Sequence, residues 1–96
     1  MFTHAVLFQV SSTQLPLYRR DCRVWARYAR RVKGFIAYST LKRVDYKDQY
    51  ASVYVWEKKI YHDRFMKEFH DWLVAKSHAK VKVLGYYNLS SIDGAR

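Results

Sequence analysis

The stretch FIAYSTLKRVDYKDQYASVYVWE (residues 35–57) decides the fold, because it holds two strand-forming segments separated by a turn. Residues 35–44 and residues 50–57 are rich in β-branched and aromatic residues, which favour strands. The polar segment DYKDQ (residues 45–49) between them is typical of a turn. We therefore predict a β-hairpin, which places the two strands side by side and antiparallel in one sheet.

The segment before the hairpin predicts a helix over about residues 17–32. Its apolar residues recur at helical spacing, while its arginines project on the opposite side. Pro16 suits a first helical turn, and Gly34 is expected to end the helix as its C′ residue. The apolar stripe consists of Tyr18, Cys22, Trp25 and Ala29.

The segment after the hairpin predicts a second amphipathic helix over residues 59–77. One arc of this helix carries most of its apolar and aromatic side chains, so it is expected to face the sheet. The arc comprises Tyr61, His62, Phe65, Met66, Phe69, Trp72, Leu73 and Lys76. From their spacing, we expect Phe65, Phe69, Trp72 and Leu73 in the core.

Residues 3–10 and 80–89 complete the pattern as the first and last strands. In THAVLFQV (residues 3–10), His4, Val6 and Phe8 share one face, which we assign to the helix side of the sheet. The element order is β-α-β-β-α-β, in two halves of about 47 residues. This order predicts one α+β domain over residues 1–96, ferredoxin-like, with a four-stranded antiparallel sheet and both helices on one face.

The predicted strands are apolar or aromatic on both faces, whereas the helices cover only one of them. The uncovered face favours a second layer of protein. We therefore expect a homodimer whose two sheets pack face to face.

Composition limits the setting in which the chain works. The single cysteine, Cys22, excludes an intramolecular disulfide and favours a reducing compartment. The first ten residues lack the basic region of a signal peptide, and no apolar run reaches the ~18 residues of a membrane span. We predict a soluble, cytoplasmic protein with no membrane partner.

The charge is strongly basic, at +10 with 18 Lys and Arg against 8 Asp and Glu. Seven of the positive charges lie between Arg19 and Lys33, where only Asp21 opposes them. Such a cluster is usually a solvated helix face, but it is also the pattern of a nucleic-acid or other polyanion site. Polyanion binding without enzymatic activity is therefore the alternative function. The residues concerned are Arg20, Arg23, Arg27, Arg30 and Arg31.

Two stretches resemble the antibiotic biosynthesis monooxygenase family of the dimeric α/β-barrel superfamily. VKGFIAYSTLK (residues 32–42) is similar to the family's step into its second strand. VYVWEKKIYHDRFMKEFH (residues 53–70) is similar to its "W-E" strand and the helix that follows, with His, an aromatic residue and His at fixed distances from the tryptophan. FTHAVLFQV (residues 2–10) separately resembles the opening of the stress-responsive A/B-barrel family. These resemblances imply a dimeric α/β barrel.

The resemblance also implies a chemistry: oxidation of a small aromatic or polyketide-like molecule without a cofactor, in a cleft between sheet and helices. His4 and His70 are then the candidate catalytic residues, with His4 handling a proton. Haem degradation is disfavoured because the first strand has no Asn and Phe65 stands where haem-degrading relatives have Trp. The candidate substrate-binding residues are Trp25, Tyr38, Trp56, His62 and Phe65.

Each of these residues also has an ordinary structural interpretation. A histidine within an apolar arc, such as His62, is more often a core or rim residue than a catalyst. His70 fits either a pocket mouth or plain solvent exposure, and the aromatic residues fit an ordinary core. No metal site is predicted, because the eight-residue spacing of His62, His70 and His78 turns successive rings by 80° around the helix.

Overall fold

The computed structural model describes residues 1–94 and contains the six elements in the predicted order. The strands form one antiparallel sheet and both helices pack on one of its faces, so the α+β ferredoxin-like prediction is confirmed. No helix among these residues is long and apolar enough to cross a membrane. The elements are β1 (Phe2–Gln9), α1 (Leu15–Ala29), β2 (Phe35–Lys42), β3 (Gln49–Trp56), α2 (Lys59–Lys76) and β4 (Lys82–Ser90).

The sheet has the strand order β2-β3-β1-β4, with β1 and β3 in the centre. Strands of the two halves start 47 residues apart, at Phe2 and Gln49 and at Phe35 and Lys82, as the predicted repeat requires. β1 pairs with β3 along its whole length and with β4 on its other side, where a bulge follows Leu7. β4 is therefore an edge strand directly beside β1.

The register decides which side chains share the helix side of the sheet. His4 stands between Tyr54 of β3 and Asn88 of β4, while Val6 stands between Ser52 and Tyr86. Side chains alternate between the two faces of a strand, so the residues next to His4 and Val6 in the sequence, Thr3, Ala5 and Leu7, point to the outer face. The helix-side residues of β1 and β3 are mostly buried, which matches the face that the sequence assigned to the helices.

The first helix ends earlier than predicted. α1 stops at Ala29, its C-cap is Arg30, and a turn carries the chain to β2. Gly34 is thus not the residue that ends the helix. It has a positive φ of 87°, and a Cβ at this position would overlap the ring of Tyr61. A glycine is required here by backbone conformation and by packing against α2.

The core forms two clusters between the sheet and the helices. The larger one is centred on Trp56, Phe65 and Leu73, and the smaller one contains Val10, Tyr18 and Cys22. The prediction that Trp72 is a core residue is wrong, because its side chain is 44% exposed. Trp72 lies at the margin of the buried arc of α2, so its ring falls beside Tyr28 of α1, with ring centroids 4.8 Å apart.

Candidate functional site

A cavity of about 350 Å³ lies between the helices and the β1–β4 side of the sheet. Most of its wall is apolar or aromatic, which is typical of a site for a small organic molecule. The polar side chains in the wall come from β1, β3, β4, α1 and α2 and from Ser77, just after α2. Five of the seven predicted site residues line this cavity: His4, Trp25, His62, Phe65 and His70.

His4 is held in the cavity wall by a partner on the edge strand. Its side chain is 7% exposed, and its Nδ1 donates a hydrogen bond of 2.8 Å to Oδ1 of Asn88. An amide oxygen only accepts, so Nδ1 carries the proton and Nε2 is left as the basic nitrogen of the ring. Asn88 is therefore a positioning residue that sets the tautomer of His4.

His62 brings a second imidazole against the first. Its ring centroid lies 4.4 Å from that of His4, and it too is 7% exposed. Burial, reinforced by the neighbouring His4 and by Lys59, lowers the pKa of His62 to about 4, with Asp63 acting in the opposite direction. His62 is therefore neutral at pH 7, and its buried Nδ1 has no hydrogen-bond partner among residues 1–94.

A group of hydroxyl and thiol side chains also lines the cavity. The hydroxyl groups of Tyr18 and Ser52 share a hydrogen bond of 2.7 Å, and the Cys22 sulfur lies 3.6 Å from the Ser52 oxygen. Burial raises the pKa of Tyr18 well above its ordinary value, and it does the same for Tyr54. These phenols stay protonated at neutral pH, so they can donate hydrogen bonds but do not act as bases.

His70 lies at the rim of the cavity rather than in its interior. Its side chain is 42% exposed, and its Nδ1 approaches Oδ1 of Asp71 at 3.1 Å. On its other side the ring meets Trp25 edge to face, with centroids 5.9 Å apart. Trp25 is held in turn by a hydrogen bond of 2.9 Å from its Nε1 to Oγ of Ser77. His70 is therefore placed at the mouth, outside the His4–His62 contact.

Tyr38 and Trp56 do not line the cavity, so their expected place in its wall has to be corrected. Tyr38 belongs to β2, at the sheet edge opposite β4, and its ring packs on Tyr54 at 4.8 Å. Trp56 is fully buried near Phe35 and Phe65, with ring centroids 5.5 Å away in both cases. The cavity follows β4, and this moves it away from both residues.

Four residues of the site were not identified from the sequence: Asn88, Ser52, Tyr18 and Cys22. Tyr18 and Cys22 were placed in the helix stripe, but their link to Ser52 depends on how α1 sits over β3. The contact between His4 and Asn88 joins residues 84 positions apart, and it depends on the register of two strands. Side chains alternate along β4, and this alternation places Asn88 on the same face as His4 once β4 is known to pair with β1.

No protein-family model matches the chain, and no curated protein matches it. Solved structures are nevertheless similar. A Deinococcus radiodurans protein provisionally assigned to the antibiotic biosynthesis monooxygenases superposes with a TM-score of 0.81 at 12% identity, covering 100% of this chain and 97% of its own. SnoaB, a cofactor-independent oxygenase from Streptomyces nogalater, gives a TM-score of 0.76 at 14% identity, covering 97% and 94%.

A mutant of MhuD, solved with two manganese protoporphyrin IX molecules per active site, is also similar. Its TM-score is 0.76 at 15% identity, and the match covers 100% of this chain and 99% of that one. The three comparisons extend over nearly the whole length of each protein. They show that this chain has the fold of the antibiotic biosynthesis monooxygenase proteins.

Proposed function

We propose that the chain binds a small aromatic or polyketide-like molecule in the cavity between sheet and helices and oxidises it without a cofactor. The observation that carries this proposal is His4: a buried imidazole, fixed by Asn88, in the wall of an apolar cavity of about 350 Å³. That volume is within the range of small-molecule sites. SnoaB, whose fold is similar, is a cofactor-independent oxygenase, and this similarity adds support.

The arrangement of the cavity suits a ring that carries hydroxyl or carbonyl groups. Trp25, Phe65 and Met66 supply flat or pliable apolar surface. The Tyr18–Ser52 pair supplies hydroxyl groups, and His4 with His62 supplies acceptor nitrogens. A phenol or quinol has both features, because its ring packs on aromatic side chains while its hydroxyl group needs a partner.

In the proposed reaction, Nε2 of His4 takes the proton from a phenolic hydroxyl and so raises the electron density of the ring for attack on dioxygen. For a phenol converted to a quinone, one oxygen atom enters the ring. The other leaves as water with the two hydrogens that the phenol loses. Neutral His62 accepts a hydrogen bond from the substrate, and His70 lies at the entrance. The protein contributes position and one proton transfer.

The test compares His4→Ala with His78→Ala, a control that removes an exposed histidine. Oxygen consumption and quinone formation are measured for a panel of phenols and quinols such as 1-naphthol, and binding is measured separately. The His4→Ala variant is expected to keep its fold and its ligand affinity, and to lose roughly 10²–10⁴-fold in turnover, the usual contribution of a general base. Unchanged turnover in His4→Ala excludes His4 as the base.

A protein that only binds gives a different result in the same assays. The wild-type chain then binds the phenols, consumes no oxygen, and shows no effect of His4→Ala beyond affinity. If no aromatic probe binds even at millimolar concentration, both the enzyme and the binding function in this cavity are excluded. Asn88→Ala is expected to reduce turnover less than His4→Ala, because it frees the imidazole to adopt its other tautomer without removing it.

We further propose that the protein works in a reducing compartment such as the cytoplasm, and as a homodimer. The free, buried thiol of Cys22 supports the first point. The uncovered apolar face of the sheet supports the second.

A further inference from the structure

A second concave site lies between α1 and α2, with a volume of about 300 Å³. Arg20, Arg27 and Tyr28 contribute from α1, and Trp72 and Lys76 contribute from α2. None of these five residues lines the cavity that contains His4. We refer to this site as the interhelical groove.

The cations of the interhelical groove have no acidic partner. Within residues 1–94, no Asp or Glu carboxylate lies within 4.0 Å of the charged nitrogens of Arg20, Arg27 or Lys76. The one carboxylate in the lining belongs to Asp21, which is buried. Its oxygens accept hydrogen bonds from the backbone N–H groups of His78 and Ala79, at 2.8 to 3.1 Å. With three cations and one carboxylate in its lining, the groove has a net positive charge.

An exposed aromatic ring accompanies these charges. The Trp72 ring is 44% exposed, and Tyr28 holds it at one edge. The ammonium group of Lys76 lies 5.6 Å from the Trp72 ring, and the guanidinium of Arg31 lies 4.3 Å from the Tyr28 ring. Trp56 is fully buried and Trp25 is half-buried, so Trp72 is the most exposed of the three tryptophans.

We propose that the interhelical groove binds single-stranded nucleic acid, with one base stacked on Trp72 and the adjoining phosphates on Arg20, Arg27 and Lys76. Basic grooves with exposed aromatic rings bind unpaired strands in this way, since every base offers a π face. A duplex keeps its bases stacked on one another and leaves none free for Trp72. The stacking ring therefore favours a single strand over a duplex.

The charge pattern favours a polymer over a single nucleotide. Arg23, Arg30 and Arg31 are exposed and extend the positive surface of the groove along α1 and just past its end. A helix of 15 residues is about 22 Å long, and the arginines of α1 extend along it from Arg20 to Arg27. The residues proposed to contact the strand do not line the His4 cavity, so this binding and the proposed oxidation can be tested with separate variants.

The test is a fluorescence titration with a 12-nucleotide oligo(dT) between 50 and 200 mM salt. Binding is expected to quench tryptophan emission, because Trp72 is the ring in contact with the base. The logarithm of affinity is expected to fall with the logarithm of salt concentration, with a slope near −0.7 for each phosphate contact, or about −2 for three contacts. In the double variant Arg20→Gln/Arg27→Gln, that slope is expected to flatten by about 1.4.

Variants of Trp72 distinguish the contribution of base stacking to affinity from that of charge. Trp72→Ala is expected to weaken binding by about 5- to 150-fold, the contribution of one base stacked on an aromatic ring, with the salt slope unchanged. Trp72→Phe keeps a ring and is expected to retain most of the affinity. If Trp72→Phe loses as much affinity as Trp72→Ala, stacking on this ring is excluded.

The matched control removes the same charge elsewhere. Lys42→Gln/Lys47→Gln changes two exposed cations in and beside the β2–β3 turn, outside the groove. It is expected to reduce affinity much less than Arg20→Gln/Arg27→Gln. Equal losses mean that net charge alone drives binding, and the groove proposal is then wrong. Tighter binding of a duplex, equal competition by poly-glutamate, or no binding at 150 mM salt overturns it as well.

Discussion

At the scale of single residues, two buried imidazoles lie in contact in the wall of the cavity. His4 has a hydrogen-bond partner that fixes its tautomer, whereas the Nδ1 of His62 has none among residues 1–94. Burial and the neighbouring His4, whose ring centroid is 4.4 Å away, lower the pKa of His62. His62 therefore offers a neutral acceptor nitrogen at neutral pH, beside the oriented ring of His4.

The lowered pKa of His62 predicts a dependence of stability on pH. The pKa is about 4 in the folded chain and 6.5 in its ordinary state, so the unfolded chain binds more protons between these values. The contribution of neutral His62 to the free energy of unfolding is expected to be complete above pH 6.5 and to be lost as the pH drops toward 4. Urea unfolding across this range measures it, and His62→Gln is expected to remove this contribution.

Two observations check the origin of that dependence. His78→Gln, at an exposed histidine, is expected to leave the pH profile unchanged. In His4→Gln, the pKa of His62 measured by NMR is expected to rise, because one of its causes is removed while burial remains. A midpoint near 6.5 for His62 in the unmodified chain contradicts the interpretation.

At the scale of elements, Asp21 ties the end of α2 to the middle of α1. Its carboxylate accepts the backbone N–H groups of His78 and Ala79, in the connection between α2 and β4. The same residue lies in the linings of both the His4 cavity and the interhelical groove. Asp21 thus holds together the two helices that shape both sites, although it is the one acidic residue in a basic segment.

Asp21→Ala is expected to lower the free energy of unfolding by about 1–3 kcal/mol, because it leaves part-buried backbone donors without acceptors. Asp21→Asn keeps one acceptor oxygen, and its free energy of unfolding is expected to lie between those of the unmodified chain and Asp21→Ala. Urea unfolding measures the loss, and faster hydrogen exchange at His78 and Ala79 localises it. Asp71→Ala, at a fully exposed carboxylate, serves as the control and is expected to stay within about 0.5 kcal/mol.

At the scale of the whole molecule, the outer face of the sheet is an apolar surface that neither helix covers. The register places Leu7, Val53 and Val55 on this face, beside Leu41 of β2 and Leu89 of β4. Leu41 and Leu89 are more than half exposed. Contiguous apolar surface of this kind usually marks an interface. The homodimer expected from the sequence therefore stays a prediction with a defined surface.

Sedimentation equilibrium at micromolar concentration is expected to give twice the chain mass. Val53→Asp or Val55→Asp places a charge in the centre of the proposed interface, and we expect aggregation or unfolding instead of a soluble monomer. Val44→Asp is the matched control, because Val44 lies between β2 and β3 and is 87% exposed. A monomeric wild-type chain at this concentration contradicts the dimer.

The sequence by itself determined the elements, their order and most of their orientations. The period of two in β1 placed His4 on the helix side, and the helical period placed Tyr18, Cys22 and Trp25 toward the sheet. Repetition of the strand–helix–strand unit then led to the ferredoxin-like sheet. These features follow from local periodicity, because a side chain's direction depends on its position in its own strand or helix.

Only the tertiary structure decided which residues meet. It placed the cavity beside β4 rather than β2, which brought Asn88 to His4 and left Tyr38 and Trp56 outside. It also placed the Trp72 ring in the lining of the interhelical groove. The first helix ends at Ala29 and not at Val32 as the sequence pattern predicted. Such contacts depend on strand register and on how each helix is set on the sheet. Strand register and helix placement bring together residues that are far apart in the chain. A local pattern of apolar and polar residues therefore does not predict them.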